Sequence, residues 1–456
     1  MISPARTLAF ETIRATFERE AHSERFFREA ADREGLGGRE RAQAQRLAYG
    51  AVQRRGTADA AIERLAERSI RLLDPPVLAA LRLGLYELLF ADGTPDHAAV
   101  DQSVELVKVA RVGHAAGLVN AVLRRAARER EQLVAALLGD DSTPERAAVA
   151  HSVPLWLAQL WWEELGPDSA RSLLAACSDP PELAMRVNTL RTDRESALEG
   201  LRGDGVEARA AEGEWPLAAA EEIVIAGRGG DAVPARIEAG ELTPQSRGSA
   251  AVVELLDPQP GEHVLDLCAG PGIKTGQIAA RMGDRGETIS FERDPERAAE
   301  VAGQAGRLGL RNVTVVEADA TAPAMPAGFD RVLVDPPCSD LGALASRPDA
   351  RWRKSPKAIE RMAGLQAEIL AAGMELLRPG GTLVYSTCTI SRREGEEQVA
   401  ALERRCAAGE TGGFAVDDLG ALAPALASTH DSRCLQLRPD RDRTTGFFVC
   451  RLRKDD

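Results

Sequence analysis

The sequence predicts a multidomain protein with an all-α region in front, a small α/β region in the middle and a doubly wound α/β domain at the end. Three observations predict this fold class. Apolar residues recur at helical spacing over residues 1–140. In residues 141–248, short segments in which apolar and polar residues alternate, as in β-strands, lie on either side of one polar helix. Over residues 249–456, apolar runs of strand length alternate with helical patterns, which is typical of a parallel sheet with crossover helices.

The composition is that of a folded cytoplasmic protein. The chain has 456 residues, of which 44% are hydrophobic and 28% charged, so it can bury several cores. It contains neither a signal peptide nor an apolar run of membrane length. The seven cysteines form no Cys-x-x-Cys pair and the six histidines do not cluster, so we expect no disulfide framework and no metal. We expect a monomer that does not bind a membrane.

The net charge of −13 argues against indiscriminate binding of nucleic acid but leaves room for local contacts. The first 130 residues carry a net charge of +3 and the remainder carries −16. Within that acidic remainder, residues 347–361 form a basic segment. It contains Arg347, Arg351, Arg353, Lys354, Lys357 and Arg361 against Asp349 and Glu360. We expect this segment, Arg351 and Arg353 included, to bind a polyanion.

Local signals support each region in turn. In the front region, Asp74-Pro75 marks a helix start because proline fits the first helical turn. A basic helix over residues 117–125 ends this region, and its charged face either is solvated or contacts a polyanion. The middle region has strands near 184–188 and 223–225, a small fold of RNA-recognition-motif shape. In the last region we expect strands at 263–268, 287–292, 312–318, 329–335 and 381–387, closed by an antiparallel pair at 434–437 and 446–452.

Acidic residues follow four of these strands, around one glycine turn. Asp266 precedes Gly270-Pro271-Gly272, and the later strands supply Glu292, Asp319 and Asp335. The carboxyl ends of parallel strands meet at one edge of a sheet, so the four acids indicate one nucleoside-binding site. A carboxylate at Glu292 can accept both ribose hydroxyls, and Asp319 can accept from an adenine amino group. The sequence has no further glycine fingerprint and no Walker lysine that would bind several phosphates. This favours S-adenosylmethionine, which has no phosphate group, as the cofactor.

Two cysteines also lie at strand ends. Cys338 follows Asp335-Pro336-Pro337, and Cys388 ends the fifth strand of this domain, so the two thiols are expected to share the crevice. A thiolate beside a methyl donor is the chemistry of cytosine C5 methylation. Addition of the thiolate to C6 makes C5 nucleophilic, while Asp335 steadies the protonated N3. The target base must leave its stack to reach such a pocket.

These motifs resemble those of the NOL1/NOP2/Sun family of RNA cytosine-5 methyltransferases, in the branch that acts on 16S rRNA. The likeness is carried by Asp266–Thr275, Asp335–Ser339, Arg347–Trp352, Tyr385–Cys388, Gly446–Phe448 and Arg186–Leu190. Residues 96–125 resemble the NusB-like helical domain that precedes the catalytic domain in bacterial members. The resemblance implies an all-α NusB-like N-terminal domain, a small α/β (RRM-like) subdomain and an α/β Rossmann-like class I methyltransferase domain.

The resemblance also implies roles for individual residues. Cys388 would be the nucleophile, Cys338 would assist release of the product, and Asp335 would lie between cofactor and base. Glu292 would bind ribose and Asp319 adenine. The cofactor loop would consist of Cys268, Ala269, Gly270, Pro271, Gly272, Ile273 and Lys274. From the sequence alone, Lys274 could equally be a surface lysine at the sheet edge or a residue that approaches the cofactor carboxylate or the RNA. The implied partner is 16S rRNA or a partly assembled small ribosomal subunit.

The sequence departs from the family pattern near the site. The loop reads Ala-Gly-Pro-Gly-Ile-Lys, with Ile273 for glycine, where the family usually has Ala-Ala-Pro-Gly-Gly-Lys, and Glu292 stands where the family usually has Asp. Pro336 stands where a small residue is usual, and Ser339-Asp340-Leu341-Gly342 replaces Ser-Gly-Thr-Gly. Three alternatives stay open. They are an amino-group methyltransferase, a non-catalytic RNA-binding assembly factor, and the same chemistry on transfer RNA or 23S rRNA.

Overall fold

The computed structural model describes residues 2–227 and 229–456, which form two compact units. The first unit runs to Asp179 and takes in Leu344–Ser355. The second consists of Pro180–Ala343 and Pro356–Asp456. The domain bounds at 140/141 and 248/249 stay predictions. Among the described residues, no helix combines the length and the apolar composition needed to cross a membrane.

The first unit is helical, as the front of the sequence predicts. Leu81, Leu85 and Leu88 are buried at helical spacing on one helix, and Pro75 occupies its first turn. Its main helices are Pro4–Glu18, Ser23–Arg33, Gly38–Gln53, Arg55–Ala66, Pro75–Leu89, Asp96–Val109, Ala116–Arg128, Arg130–Leu138, Pro144–Ala150, Leu155–Leu165 and Pro167–Ala176.

The segment Leu344–Ser355 is built into this helical unit, which corrects the polyanion-binding prediction for Arg351. Arg351 is fully buried and donates hydrogen bonds to the carbonyls of Ser152, Cys177 and Leu344 at 3.1, 2.8 and 3.1 Å. Arg353 donates to Asp349, whose carboxylate also accepts from the Ser23 hydroxyl. Arg351 was wrongly expected to bind a polyanion, because the sequence shows its charge but not the carbonyls that meet it. Arg353 keeps 24% of its side chain exposed, so its contact with a polyanion stays a prediction.

Trp352, in the short helix Ala350–Arg353, anchors the same segment. Its indole N–H donates to the carbonyl of Val52 at 2.8 Å. The Arg55 guanidinium lies 5.0 Å from the centre of its ring, within cation–π range. Arg347, Lys357 and Arg361 are exposed, so the most exposed basic side chains lie toward the edges of the predicted segment.

The second unit begins with a four-stranded antiparallel sheet of order β2-β3-β1-β4. Its strands are β1 (Leu183–Val187), β2 (Ala208–Ala210), β3 (Glu222–Ile225) and β4 (Leu242–Pro244). The helices Arg194–Gly203 and Ala232–Glu238 accompany it. Apolar residues such as Met185, Val187 and Ile223 form its core, which confirms the predicted small α/β subdomain.

The rest of the second unit is an eight-stranded mixed sheet of order β10-β12-β9-β8-β5-β6-β7, in which β11 pairs with β12. The first five strands in chain order are parallel: β5 (His263–Asp266), β6 (Glu287–Glu292), β7 (Val313–Glu317), β8 (Phe329–Val334) and β9 (Leu377–Thr387). The closing strands β10 (Phe414–Val416), β11 (Leu435–Leu437) and β12 (Phe447–Lys454) are antiparallel. All five parallel strands and the closing pair were predicted.

Helices cover both faces of this sheet, which explains why its central strands carry consecutive apolar residues such as Val332-Leu333-Val334. Leu265, Val332 and Leu383 pack on one face, while Val264, Leu333 and Val384 pack on the other. The main helices are Arg247–Leu256, Ile273–Arg281, Pro295–Leu308, Pro356–Leu376 and Glu396–Ala407, with short ones at Leu419–Leu422 and Pro439–Asp442. The strand order reverses between β5 and β8, and a crevice opens outside the carboxyl ends of the strands at such a point.

Candidate active site

The predicted cofactor loop joins β5 to the helix Ile273–Arg281 at this reversal point. Gly270 and Gly272 have φ values of 56° and 82°, which L side chains rarely adopt. The Asp266 carboxylate holds the two ends of the loop. It accepts hydrogen bonds from the Cys268 amide at 3.3 Å and from the Thr275 hydroxyl at 2.7 Å. Burial raises the pKa of Asp266 to about 6. Asp266 therefore acts within the scaffold, and the backbone of the loop is what faces outward.

The four strand-end acids converge around this loop, as the strand order predicts. After burial, the charges of Asp266, Asp335, Glu292 and Asp319 are what raise the pKa of Cys268 well above its ordinary value. Glu292 is half-buried at the end of β6, and Asp319 is exposed beyond β7. Asp319 accepts hydrogen bonds from the amide and hydroxyl of Thr321, which lower the pKa of its carboxyl. The crevice therefore has a negative potential, which suits a cationic ligand and opposes phosphate groups.

Lys274 and Asp335 form an ion pair in the middle of the site. Lys274 Nζ lies 2.6 Å from Asp335 Oδ2, and the Ser386 hydroxyl donates to Asp335 Oδ1 at 2.9 Å. Burial acts to lower the pKa of Lys274, but the charge and the hydrogen bond of Asp335 outweigh it and raise the pKa. Lys274 is thus a buried cation, which removes the surface position that the sequence left open.

The two predicted thiols lie side by side after β8 and β9. Cys338 Sγ is 3.2 Å from Cys388 Sγ, and Cys388 Sγ is 3.3 Å from Asp340 Oδ1. The hydrogen bond with Cys388, followed by burial, raises the pKa of Cys338 well above its ordinary value. Cys338 therefore stays a protonated thiol, whereas Cys388 is the less buried of the two. The expected proximity of the thiols is confirmed.

Glu394 holds the two cysteine loops together, and sequence reasoning missed it. This fully buried carboxylate accepts from the Ser339 amide at 2.8 Å, from the Ser339 hydroxyl, and from Gln366 Nε2 at 3.0 Å. Its second oxygen also accepts from the Thr389 hydroxyl at 3.4 Å, and the Tyr385 hydroxyl donates to its backbone carbonyl at 2.7 Å. Glu394 lies in a charged stretch that looks solvent-facing, so the sequence carries no signal for this role.

The small subdomain supports the cofactor loop through one buried arginine on β1. Arg186 donates from Nη1 to the carbonyl of Ile273 and to Gln245 Oε1, both at 2.9 Å. Asn188, two residues along, donates to the carbonyl of Leu308 at 3.0 Å. The Arg-Val-Asn motif therefore joins the two sheets of the second unit, a function that the sequence alone did not reveal.

Family models match three successive parts of the chain. Residues 253–453 match the model described as 16S rRNA methyltransferase RsmB/F, residues 3–128 match the NusB family, and residues 153–221 match the ferredoxin-like domain of RsmF/B-like methyltransferases. The match over 153–221 includes β1 and β2 of the antiparallel subdomain described above. The family model over 253–453 covers the large sheet up to the end of β12, together with the cofactor loop, the strand-end acids, both thiols and Glu394.

Whole-length relatives and a solved structure agree with these matches. The probable ribosomal RNA small subunit methyltransferase B of Synechocystis is 33% identical over 100% of both chains. Its Escherichia coli counterpart is 31% identical over 91% of each chain. The crystal structure of PH0851 superposes with a TM-score of 0.81 at 25% identity over 100% of both chains. That of NSun6 from Pyrococcus horikoshii with SFG, at 22% identity and a TM-score of 0.57, covers 66% of this chain and 98% of its own and supports the fold.

The front, middle and catalytic regions thus each match the corresponding part of one protein family, and relatives above 30% identity extend along essentially the whole chain. The chain belongs to the RsmB/F family of 16S rRNA methyltransferases.

Proposed function

We propose that this protein methylates C5 of a cytidine in 16S rRNA, with S-adenosylmethionine as methyl donor and a covalent bond between Cys388 and C6 of the base. The observation that carries the proposal is the 3.2 Å separation of the two sulfurs, beside Asp335 at adjacent strand ends. Amino-group methylation needs no thiol, whereas C5 methylation needs a nucleophile at C6.

The residues of the crevice fit S-adenosylmethionine. The convergent carboxylates suit its positive charge, and Gly270, where an added Cβ would meet no atom within 4 Å, leaves the loop backbone open to close approach. Residues Cys268–Lys274 would line the cofactor, Glu292 would accept from the ribose hydroxyls, and Asp319 would accept from adenine. When bound, the cofactor supplies an electrophilic methyl group.

The remaining steps belong to side chains of this chain. Cys388 bonds to C6, and the C5=C6 electron pair then makes C5 nucleophilic. Asp335, fixed by Lys274 and Ser386, holds the base through its protonated N3. Loss of the C5 proton restores the C5=C6 bond and expels the sulfur. Cys338, held as a protonated thiol against Cys388, assists that release by a hydrogen bond to the departing sulfur.

The proposed substrate, 16S rRNA, rests on the relatives, whose names describe small-subunit rRNA methyltransferases. Transfer of labelled methyl groups to unmodified 16S rRNA, to partly assembled small subunits, to 23S rRNA, to transfer RNA and to DNA tests it. We expect 5-methylcytosine in 16S rRNA alone. Label in transfer RNA or 23S rRNA would reassign the substrate, and no label in any of them would favour an assembly factor without catalysis.

Three single-cysteine variants test the mechanism. Cys388→Ala should abolish methylation, because it removes the proposed nucleophile and leaves Cys338, whose protonated thiol is assigned to product release. Cys338→Ala should accumulate a covalent protein–RNA complex, visible on denaturing gels, because release is impaired. Cys406→Ala, which alters a thiol on the helix Glu396–Ala407, is the matched control and should retain full activity. Methylation that survives Cys388→Ala would reverse or remove the assigned roles.

A further inference from the structure

We propose that Asp340 is a further catalytic residue, whose carboxylate accepts the thiol proton of Cys388 as the sulfur adds to C6. This inference rests on the proposed C5 methylation. Asp340 Oδ1 is 3.3 Å from Cys388 Sγ, within the range of a hydrogen bond to sulfur. The resemblance noted above has glycine at this position, so the carboxylate is a property of this chain and not of the family pattern.

The backbone of Asp340 holds this carboxylate in place. Its φ is 58°, the left-handed region that favours glycine and that Asp and Asn tolerate best among other residues. The Asp340 carbonyl accepts from the Ala343 amide at 3.0 Å, and the Gly342 amide donates to the carbonyl of Cys388 at 3.0 Å. The preceding Ser339 is clamped by Glu394. The loop is therefore tied to the nucleophile itself, which fixes the direction of the side chain.

The proton and the electrons balance in the proposed step. The base is bound with N3 protonated against Asp335. The Cys388 proton moves to the Asp340 carboxylate, the S–C6 bond forms, and the C5=C6 pair shifts toward C4 and quenches the charge at N3. After methyl transfer the C5 proton leaves to water, the S–C6 bond breaks, and Asp340 returns its proton to the departing sulfur. N3 then releases its proton to solvent.

A carboxylate beside a thiol also has an opposing effect, which makes the proposal testable. A negative charge disfavours ionisation of a neighbouring thiol, and Asp340 is among the charges that raise the pKa of Cys338. Asp340 therefore accelerates the reaction only by taking the proton. Without it, attack must wait for spontaneous ionisation of a thiol, which in water occurs near pH 8.5. The pH dependence then separates a proton acceptor from a residue that only shapes the loop.

The experiment is single-turnover methylation of 16S rRNA, or of partly assembled subunits, between pH 6 and 9. Asp340→Asn keeps the size and the tolerance of positive φ but removes the acceptor. We expect its rate at pH 7 to fall by roughly 100-fold, the low end for a general base, and to recover by about tenfold per pH unit toward pH 9. Asp340→Gly should show the same loss and recovery with an unchanged or higher melting temperature.

Two controls make the outcome decisive. Asp257→Asn replaces another Asp with positive φ, remote from the site and more than half exposed, and should leave the rate unchanged. EDTA is included because the donor atoms of Cys338, Asp340 and Cys388 lie within 4.8 Å of one another and could bind a soft metal ion.

Failure of this inference differs from failure of the proposed function. If the wild type makes no 5-methylcytosine, the C5 chemistry itself is wrong. If the wild type is active and either Asp340 variant matches it at pH 7, or loses rate with an unchanged pH profile, Asp340 is not the proton acceptor.

Discussion

Arg351→Met is expected to destabilise the helical unit. Any change in RNA affinity should follow from that loss of stability and not from a lost phosphate contact. The Arg351 guanidinium makes three hydrogen bonds to carbonyls at 3.1 Å or less. A bond to a charged group contributes about 1.5–3 kcal/mol. Burial lowers the pKa of Arg351 to about 10, so part of the gain is offset by desolvation and the lower figure applies. The Cys177 carbonyl also accepts a hydrogen bond from Gln53, so it keeps one partner when Arg351 is replaced. The expected loss is therefore about 4 kcal/mol.

Thermal unfolding followed by tryptophan fluorescence measures this loss selectively. Four of the five tryptophans, Trp156, Trp161, Trp162 and Trp352, belong to the first unit. In a unit of this size, a loss of 4 kcal/mol lowers the melting temperature by roughly 8–16 °C. Lys357→Met removes an exposed charge from the same basic stretch and should shift it by no more than about 2 °C.

The opposite pattern would refute the reasoning about Arg351. A melting temperature within about 2 °C of wild type, together with an increased Michaelis constant for RNA, would mean that the guanidinium is available to phosphates. The buried geometry around Ser152, Cys177 and Leu344 would then be wrong.

Three further predictions concern the catalytic unit. Burial raises the pKa of Asp266 from 3.8 to about 6, so its stabilising contribution is complete below about pH 4 and lost as pH rises through 6. In urea unfolding, the free energy of unfolding of Asp266→Asn should therefore rise by about 3 kcal/mol relative to wild type between pH 4 and pH 7.5. A difference between the two proteins that does not change with pH would contradict this. Glu394→Ala should lower the methylation rate at least tenfold by releasing the Ser339 loop, whereas Glu394→Gln, which can rearrange its hydrogen bonds, should retain most of it; equal rates for both would exclude the clamp. Glu292→Ala should weaken S-adenosylmethionine binding by at least tenfold in calorimetry, because bonds from two ribose hydroxyls to a carboxylate are lost; unchanged affinity would remove Glu292 from the cofactor site.

The parts of the site that sequence could predict are those fixed by strand topology. Asp266, Glu292, Asp335 and the thiols converge because the ends of parallel strands share an edge, so their positions along the chain were enough. The same reasoning identified all five parallel strands, since helices on both faces demand apolar runs. Roles for individual side chains within the site stay proposals, because proximity does not assign chemistry.

The parts that sequence could not predict depend on contacts between distant residues. Arg351 and Arg186 look like surface charges until the carbonyls of other loops are placed around their guanidinium groups. Glu394 looks solvent-facing until Ser339 and Gln366 are brought to it. Lys274 was left open because only its distance to Asp335 decides between surface and interior. In each case a buried charge is compensated by partners that no local pattern announces.

The assignment of Leu344–Ser355 to the helical unit has a consequence for synthesis and for engineering. Because Arg351 and Trp352 complete that unit, it cannot finish folding on the ribosome until residue 355 has emerged, although most of it is translated first. A fragment that stops at Asp179 would lack both side chains. Chimaeras that exchange the front domain between relatives should therefore carry residues 344–355 with it as a second, matched graft.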